Sequence, residues 1–173
     1  MSDAFTIRRT LISDCDSLPE IERSAAAAFA ADPGLAWLAK QDPVSRERHA
    51  DLIQRGVCFV AADKIDAPCG FIVSENFETD LHIWEMSVSS DYQQRGIGRQ
   101  LLTSLEAEAR ALGLQRLTLT TFRDLVWNAP FYQSCGFAIL NGEAVTHRLA
   151  ALLKSEADHG LPRERRCAMA KTI

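Results

Sequence analysis

The sequence of 173 residues predicts an α/β protein in which a mixed sheet is flanked by helices. Two observations lead to this prediction. Segments with strand-like alternation and segments with helical spacing follow one another in the order β-α-α-β-β-β-α-β-α-β, with a further strand at the end. Near the middle of the chain, a strand leads through a glycine-containing turn into an amphipathic helix. A chain of this length can form one domain, residues 1–173, around a sizeable core.

The first half of the chain predicts an opening strand, two helices and a pair of strands. Residues 32–34, Asp-Pro-Gly, separate the two helices because proline and glycine interrupt helical periodicity. The predicted ranges are 5–9 for the strand, 14–29 and 43–55 for the helices, and 57–61 and 70–74 for the strand pair.

The next segment contains the most informative feature of the chain. Residues 81–88 are apolar and aromatic and short enough for a strand, and apolar residues recur at helical spacing between 101 and 112. Residues 93–98, Gln-Gln-Arg-Gly-Ile-Gly, lie at the mouth of that helix. A helix N-terminus leaves backbone N–H groups unpaired and carries the positive end of the helix dipole. Because glycine lets a phosphate approach those donors, this turn is predicted to hold a diphosphate.

Two known phosphate motifs fail at this turn. A Rossmann fingerprint requires a third glycine where Leu101 stands, and a Walker loop requires a lysine that does not follow Gly98. The remaining pattern, Gln93-x-x-Gly96-x-Gly98, resembles the acetyl-CoA signature Q/R-x-x-G-x-G/A of the GNAT-type N-acetyltransferases. In that family the turn holds the pyrophosphate of coenzyme A. The resemblance therefore implies cofactor binding by Gln93, Gln94, Arg95, Gly96, Ile97, Gly98 and Arg99.

A second block further downstream strengthens the resemblance. Residues 115–121 alternate as a strand, and Asn128 is a good N-cap for a short helix that stops near Gly136. The run N-A-P-F-Y-x-x-x-G-F resembles the GNAT fifth-strand and fourth-helix segment, in which an Asn contacts the cofactor and a Tyr lies near its sulfur. The resemblance assigns these roles to Asn128 and Tyr132.

The end of the chain predicts a strand at 137–140, a helix at 145–156 and a last strand at 166–171. With these elements the resemblance covers nearly the whole chain. It implies a GNAT-like fold: a central, mostly antiparallel twisted sheet of six to seven strands flanked by about four helices. It also implies that the fourth and fifth strands, a parallel pair, splay apart at the cofactor site to admit the pantetheine arm.

The resemblance implies that a primary amine attacks the acetyl-CoA thioester directly in a ternary complex. An alkyl ammonium has a pKa of roughly 10.4, so a proton must leave near neutral pH, and Glu85 is the candidate base. Tyr132 is the candidate acid for the departing thiolate. The strand end at Met86, Ser87 and Val88 is expected to contact the cofactor, with backbone N–H groups polarising the thioester oxygen.

The assignment of Glu85 leaves alternatives open. Simple alternation places Glu85 on the same strand face as Ile83, unless a β-bulge switches the faces. Glu75, Glu78 and His82 are alternative bases, and an ordinary surface position for Glu85 is compatible with the sequence.

The acceptor pocket is expected to come from the first two helices, the loop between them and the loops near the C-terminus. Aromatic side chains there predict an apolar slot, and an arginine is placed to pair with a substrate carboxylate. The candidate residues are Phe29, Trp37, Trp84, Phe122 and Arg123. Ordinary core packing explains the aromatic residues equally well. A small-molecule amine or amino acid derivative is expected in preference to a protein N-terminus or lysine.

Composition argues against several other classes of protein. The net charge of −4 argues against nucleic-acid binding, which favours a basic face. The N-terminus lacks a signal-peptide pattern, and the alanine-rich run at 25–31 is too short to cross a membrane. Five scattered cysteines with no C-x-x-C pair predict reduced thiols in a cytoplasmic protein and no metal site.

Three classes of function remain open at this stage. The first is an acetyl-CoA-dependent N-acetyltransferase. The second is a non-catalytic acyl-CoA-binding or sensing module, and the third is an interaction domain in which the glycine turn is vacant. The sequence is compatible with either a monomer or a homodimer.

Overall fold

The computed structural model describes residues 5–173, so residues 1–4 of the predicted domain lie outside the described part. Within it, the strands are β1 (Thr6–Arg9), β2 (Cys58–Ala62), β3 (Pro68–Phe77), β4 (Asp80–Val88), β5 (Arg116–Phe122), β6 (Ala138–Ile139) and β7 (Arg166–Thr172). The helices are α1 (Leu18–Ala26), α2 (Arg46–Arg55), α3 (Ile97–Ala111), α4 (Ala129–Ser134) and α5 (His147–Asp158). The predicted mixed α/β class is confirmed, with five helices where about four were implied.

The strands form one sheet in the order β1-β2-β3-β4-β5-β7-β6. Neighbouring strands are antiparallel except β4 and β5, which run parallel. Pairing between β4 and β5 extends only from Asp80 opposite Arg116 to His82 opposite Thr118. Both strands continue past this point but separate from each other. The predicted mostly antiparallel sheet with a splayed parallel pair is therefore confirmed.

A β-bulge in β4 decides which face of the sheet Glu85 occupies. Val73 lies opposite Glu85, whereas the next residue of β3, Ser74, lies opposite Ile83, so Trp84 is an extra residue in β4. Simple alternation would place Glu85 on the face of Ile83, which packs toward α3. The bulge instead gives Glu85 the face of Val73, which packs toward α1 and α2.

Apolar side chains cover both faces of the sheet. On one face, Leu101 and Leu105 of α3 are fully buried against the central strands. On the other face, Leu18 of α1 and Leu52 of α2 pack against Phe71 of β3. Helices α1 and α3 therefore lie on opposite faces of β4, next to the gap between β4 and β5.

The predicted first helix, residues 14–29, is interrupted in the structure. Helix α1 begins one residue before Pro19, because proline has no N–H and fits only the first turn of a helix. The flanking segments Ile12–Asp16 and Ala27–Ala31 are 3-10 helices. Within residues 5–173, none of the helices has a stretch long and apolar enough to cross a bilayer.

Candidate functional site

A cavity of about 800 Å³ lies where β4 and β5 separate. Its walls come from α1, the end of β4, the turn before α3, the end of β5 and α4. Most of the site residues predicted from the sequence line it: Phe29, Glu85, Met86, Ser87, Val88, Gln93, Gln94, Gly96, Ile97, Gly98, Arg99, Phe122, Asn128 and Tyr132.

The turn before α3 presents backbone donors to the cavity. Gln94 and Gly96 adopt left-handed φ values of 60° and 80°, which turn the chain sharply into the helix. A Cβ atom on Gly96 would meet nothing within 4 Å, so the space in front of the helix is open. In the described part of the chain, the N–H groups of Gly96, Ile97 and Gly98 donate no hydrogen bond. These donors and the helix dipole together are suited to an anionic group such as a diphosphate.

Side chains of the turn hold its shape. Gln93 donates a hydrogen bond of 3.0 Å from Nε2 to a carbonyl at the end of β4. Arg99 donates to the carbonyl (3.1 Å) and the hydroxyl (3.0 Å) of Ser134 and so connects α3 to α4. Arg95 lies over the Tyr92 ring, 5.3 Å from its centroid, and does not line the cavity.

The end of β4 also offers backbone donors. The Ser89 N–H donates to the Cys69 carbonyl on the β3 side at 2.9 Å. Because backbone direction alternates along an antiparallel strand, the N–H groups of Met86 and Val88 point away from β3. They therefore face the gap that β5 leaves open.

Glu85 occupies a partly buried position in the cavity wall. Burial and the nearby carboxylate of Glu22 raise the pKa of Glu85 to about 8. The Ser87 hydroxyl, which donates to Glu85 Oε1 at 2.7 Å, the charge of Arg166 and the Met86 N–H act in the opposite direction. Below this pKa the carboxyl group is mostly protonated, and its deprotonated form is a stronger proton acceptor than an ordinary glutamate.

Tyr132 reaches the cavity from α4, with only 8% of its surface exposed. Its ring packs edge-on against Phe131 and Phe137, with centroids 5.3 and 5.5 Å away. Within residues 5–173, no group hydrogen-bonds its hydroxyl. Burial and the charge of Glu85 raise the pKa of Tyr132 well above its usual value. Tyr132 is therefore a neutral O–H donor that has no acceptor among the described residues.

Asn128 stands at the N-cap position of α4, as predicted, but its side chain makes no capping hydrogen bond. Its backbone carbonyl accepts the Tyr132 N–H at 3.0 Å. The side-chain amide is therefore available to hydrogen-bond a molecule in the cavity, which Asn128 lines.

The end of the cavity predicted to hold the acceptor has an apolar wall. Phe29 lies edge-on to Phe122 and Trp127, with ring centroids 5.7 and 6.1 Å away. Leu38 and Leu161 line the same cavity and pack in the same cluster as the two phenylalanines.

Three residues predicted for the acceptor pocket do not line this cavity. Trp84 is the extra residue of the bulge, and its indole N–H donates to Glu75 at 2.9 Å outside the cavity. Trp37 lies on a 3-10 segment that turns it toward solvent, and it is 37% exposed. Arg123 donates to the backbone carbonyl of Arg166 at 3.0 Å and does not line the cavity.

The alternative bases also lie outside the cavity. Glu75 is held by Trp84 and lies 3.5 Å from Arg48. His82 is fully buried, with Nδ1 2.9 Å from the Thr118 hydroxyl. Glu78 lies in the tight connection between β3 and β4, where its φ is 50°.

Two charged residues that the sequence analysis did not single out line the cavity beside Glu85. Glu22 of α1 accepts a hydrogen bond of 3.0 Å from the Val44 N–H, and burial raises its pKa. Arg166, at the start of β7, donates two hydrogen bonds to Glu156, of 3.0 and 3.1 Å. Close to Glu85, the cavity lining therefore has a second carboxyl group and a guanidinium that is ion-paired with Glu156.

Comparison with known proteins agrees with this geometry. The profile of the acetyltransferase (GNAT) family matches residues 20–137. An uncharacterized N-acetyltransferase of Bacillus subtilis (strain 168), YvbK, is 24% identical over 106 residues, which cover 61% of this chain. The match spans 66% of that relative, just under two thirds of its length.

Solved structures share the fold over nearly the whole chain. The PaiA N-acetyltransferase of Thermoplasma acidophilum, in complex with coenzyme A, superposes with a TM-score of 0.71 at 18% identity and covers 98% of this chain and 99% of its own. The ribosomal-protein-S18-alanine N-acetyltransferase of Escherichia coli gives 0.69 at 22% identity, over 98% and 94%. The family profile spans more than half of the sequence, so this protein belongs to the acetyltransferase (GNAT) family.

Proposed function

We propose that this protein transfers the acetyl group of acetyl-CoA to a primary amine by direct attack in a ternary complex. One observation carries the proposal: a single cavity joins the open turn before α3, the gap between β4 and β5, Glu85 and Tyr132. Family membership supports acetyl transfer, and the coenzyme A bound by the Thermoplasma protein supports the cofactor.

The residues present fit the cofactor. The N–H groups of Gly96, Ile97 and Gly98 would receive the diphosphate, with Gln94, Arg99 and Asn128 beside it. The strand gap has room for an extended arm, and the N–H groups of Met86 and Val88 would bond its carbonyl oxygens. When bound, acetyl-CoA supplies an acetyl thioester that is open to nucleophilic attack.

Glu85 acts as the base in this proposal. An amine attacks only when its nitrogen is neutral, and an alkyl ammonium has a pKa of roughly 10.4. Because the pKa of Glu85 is raised to about 8, its carboxylate is a stronger proton acceptor than an ordinary glutamate, directly or through a water molecule.

Tyr132 acts as the acid. A departing thiolate resembles that of cysteine, with a pKa of roughly 8.5, and leaves more readily when it receives a proton. The neutral hydroxyl of Tyr132 has no protein acceptor in the described part of the chain, so it is free to donate this proton. The protein forms no covalent bond to the acetyl group.

Thermal unfolding with acetyl-CoA tests the cofactor site. An excess of about 100 times the dissociation constant stabilises the native state by about 2.7 kcal/mol, which raises the melting temperature by several degrees. We expect Gly96→Asp to abolish this shift, because its side chain would fill the space in front of α3 and repel the diphosphate.

Gly113→Asp is the matched control. Gly113 has a φ of 74° and open space around its Cβ position, as Gly96 does, but it lies just past the other end of α3. Equal shifts in both variants, or no shift in the natural protein, would contradict the proposed site. A shift without thiol release in the presence of any amine would indicate a non-catalytic acyl-CoA-binding module.

A further inference from the structure

The arginines that line the cavity are bonded to other protein groups, whereas the acidic residues that line it form no ion pair in the described part of the chain. Its described lining contains three arginines and three acidic residues: Arg23, Arg99, Arg166, Glu22, Asp42 and Glu85. Arg23 forms an ion pair with Glu20, and Arg166 forms one with Glu156. Arg99 is bonded to Ser134 beside the diphosphate turn. Among residues 5–173, no ion pair joins any of the three acidic residues to a basic side chain.

The charge of Arg166 acts on both Glu85 and Tyr132, but this guanidinium is already ion-paired with Glu156, and only its Nη1 donates to no group among residues 5–173. Arg166 donates to both oxygens of Glu156 and, at 3.3 Å, to the Thr120 hydroxyl. It also lies over the Phe122 ring, 4.6 Å from the centroid. An acceptor with a carboxylate beside its amine would therefore meet an arginine whose charge Glu156 already offsets, together with the carboxyl groups of Glu22 and Glu85.

A cationic amine would complete the hydrogen bonding of the same groups. One oxygen of Glu22 accepts the Val44 N–H, and the other has no partner in the described part of the chain. The negative charge of Glu22 disfavours the charged form of Glu85, so an ammonium group between them would stabilise both carboxylates. Tyr132, only 8% exposed and with an unpartnered hydroxyl, faces the same space.

The cavity wall beyond Glu22, Glu85 and Tyr132 is suited to an acceptor whose remaining part is apolar, rather than to a peptide. Phe29, Leu38, Phe122 and Leu161 offer no hydrogen-bonding side chain, and peptide amides buried against them would lose their hydrogen bonds to water. Arg165 holds this end of the cavity together. It bonds Asp32, in the α1–α2 segment, at 3.0 and 2.6 Å, and Asp124, after β5, at 2.7 Å.

We propose that the acceptor is a small cationic amine with an apolar body and no carboxylate next to the amine, and that Glu22 sets this preference. This inference rests on the acetyltransferase function proposed above. It replaces the expected carboxylate recognition by Arg123, which lies outside the cavity.

Three matched probes test the inference: phenethylamine, phenylalanine and phenylalaninamide. Phenylalanine adds a carboxylate to phenethylamine, and phenylalaninamide keeps the added bulk without the charge. From the several kcal/mol that like charges cost at a binding site, we expect kcat/KM for phenethylamine to exceed that for phenylalanine at least about 100-fold. Phenylalaninamide should stay within about tenfold of phenethylamine, the effect of 1.4 kcal/mol.

The variant Glu22→Gln should reduce the preference for phenethylamine over phenylalanine at least about tenfold, the effect of 1.4 kcal/mol. Its side-chain oxygen can still accept the Val44 N–H, so the fold is maintained. Glu47→Gln, an exposed change of equal charge on α2, should leave the preference unchanged. The melting-temperature shift with acetyl-CoA verifies that both variants fold and bind the cofactor.

Three results would each overturn the inference while leaving acetyl transfer intact. The first is an equal kcat/KM for phenylalanine and phenethylamine, and the second is a preference that Glu22→Gln does not alter. The third is faster acetylation of a peptide with an N-terminal alanine than of phenethylamine. Failure of the proposed function looks different. In that case acetyl-CoA gives no melting-temperature shift, or no probe of any kind releases thiol, and the inference falls with it.

Discussion

Glu85 lies opposite Val73 in the β3–β4 ladder, and this register places its carboxyl group on the α1 face of the sheet. The following residue, Met86, packs on the α3 face, with Cε 3.5 Å from the position of a Cβ on Gly98. The bulge at Trp84 therefore lets one strand end place a carboxyl group on the α1 face of the sheet while its backbone N–H groups face the strand gap.

Replacement of Glu85 tests its role as base. We expect Glu85→Gln to lower kcat at least about 100-fold, the lower end of the usual contribution of a general base. In the natural protein, kcat should rise with pH and level off above about 8, because only the deprotonated carboxylate accepts a proton. The variant should lose this rise and still bind acetyl-CoA. A variant with normal kcat and the same pH profile would rule out Glu85 as base.

The raised pKa of Glu85 also predicts a pH dependence of stability. Between the ordinary value of 4.5 and about 8, the unfolded chain releases the proton while the native protein keeps it. The free energy of unfolding therefore falls as pH rises across this window. Glu85→Gln should raise the melting temperature at pH 8, by several degrees, and by much less at pH 5. Equal effects at both pH values would show that the carboxyl group is not destabilised by burial.

Burial is the main cause of the raised pKa of Glu85, and the charge of Glu22 should raise it further. The other groups that act on Glu85 are Arg166 of β7, which favours its charged form, the Ser87 hydroxyl and the Met86 N–H. Removal of the neighbouring negative charge in Glu22→Gln should move the rise of kcat with pH to lower pH. Glu47→Gln, with the same charge change at an exposed position, should leave the profile in place. A profile unmoved by Glu22→Gln would mean that the two carboxyl groups do not interact.

Tyr132→Phe separates catalysis from packing. The hydroxyl has no hydrogen-bond partner in the described part of the chain, so its removal leaves no buried group unsatisfied and should not lower the melting temperature. We expect kcat to fall about 100-fold, as for the loss of a general acid, with acetyl-CoA affinity unchanged. An unchanged kcat would show that another group protonates the thiolate.

Replacement of Arg165 should weaken binding of the acceptor amine but not of acetyl-CoA. Its guanidinium bonds Asp32 and Asp124, which lie on two segments around the acceptor end of the cavity. We expect Arg165→Ala to raise KM for the amine several-fold and leave acetyl-CoA binding unchanged. Arg163→Ala is the control, since Arg163 is exposed and forms no ion pair among residues 5–173. A parallel loss of cofactor binding would instead indicate a general loss of structure.

Local patterns in the sequence predicted most of the fold. The turn at 93–98 and the apolar face of α3 are formed by residues close together in the chain. Glycine placement and helical periodicity were therefore sufficient to predict them. The break of the first helix was missed although Pro19 was a visible signal, since it allows a helix to start only just before it.

The acceptor side was predicted less well because it depends on contacts between distant segments. A bulge was one of the alternatives predicted for Glu85. The prediction did not include the second effect of the bulge, which makes Trp84 the extra residue of β4. Arg123 points away because its backbone N–H donates to the carbonyl of Arg165, 42 residues later in the chain. Glu22 had a usable signal: it follows buried Leu18 by four residues, which places a carboxyl group on the face of α1 that meets the sheet.

The most direct test of direct transfer is a single-turnover experiment with the protein in excess over acetyl-CoA, with and without phenethylamine. Thiol release should require the amine and should equal the acetylated amine formed, with no acetyl group retained on the protein. A burst of thiol release without amine, accompanied by an acetylated side chain such as that of Cys135, would contradict direct attack in a ternary complex.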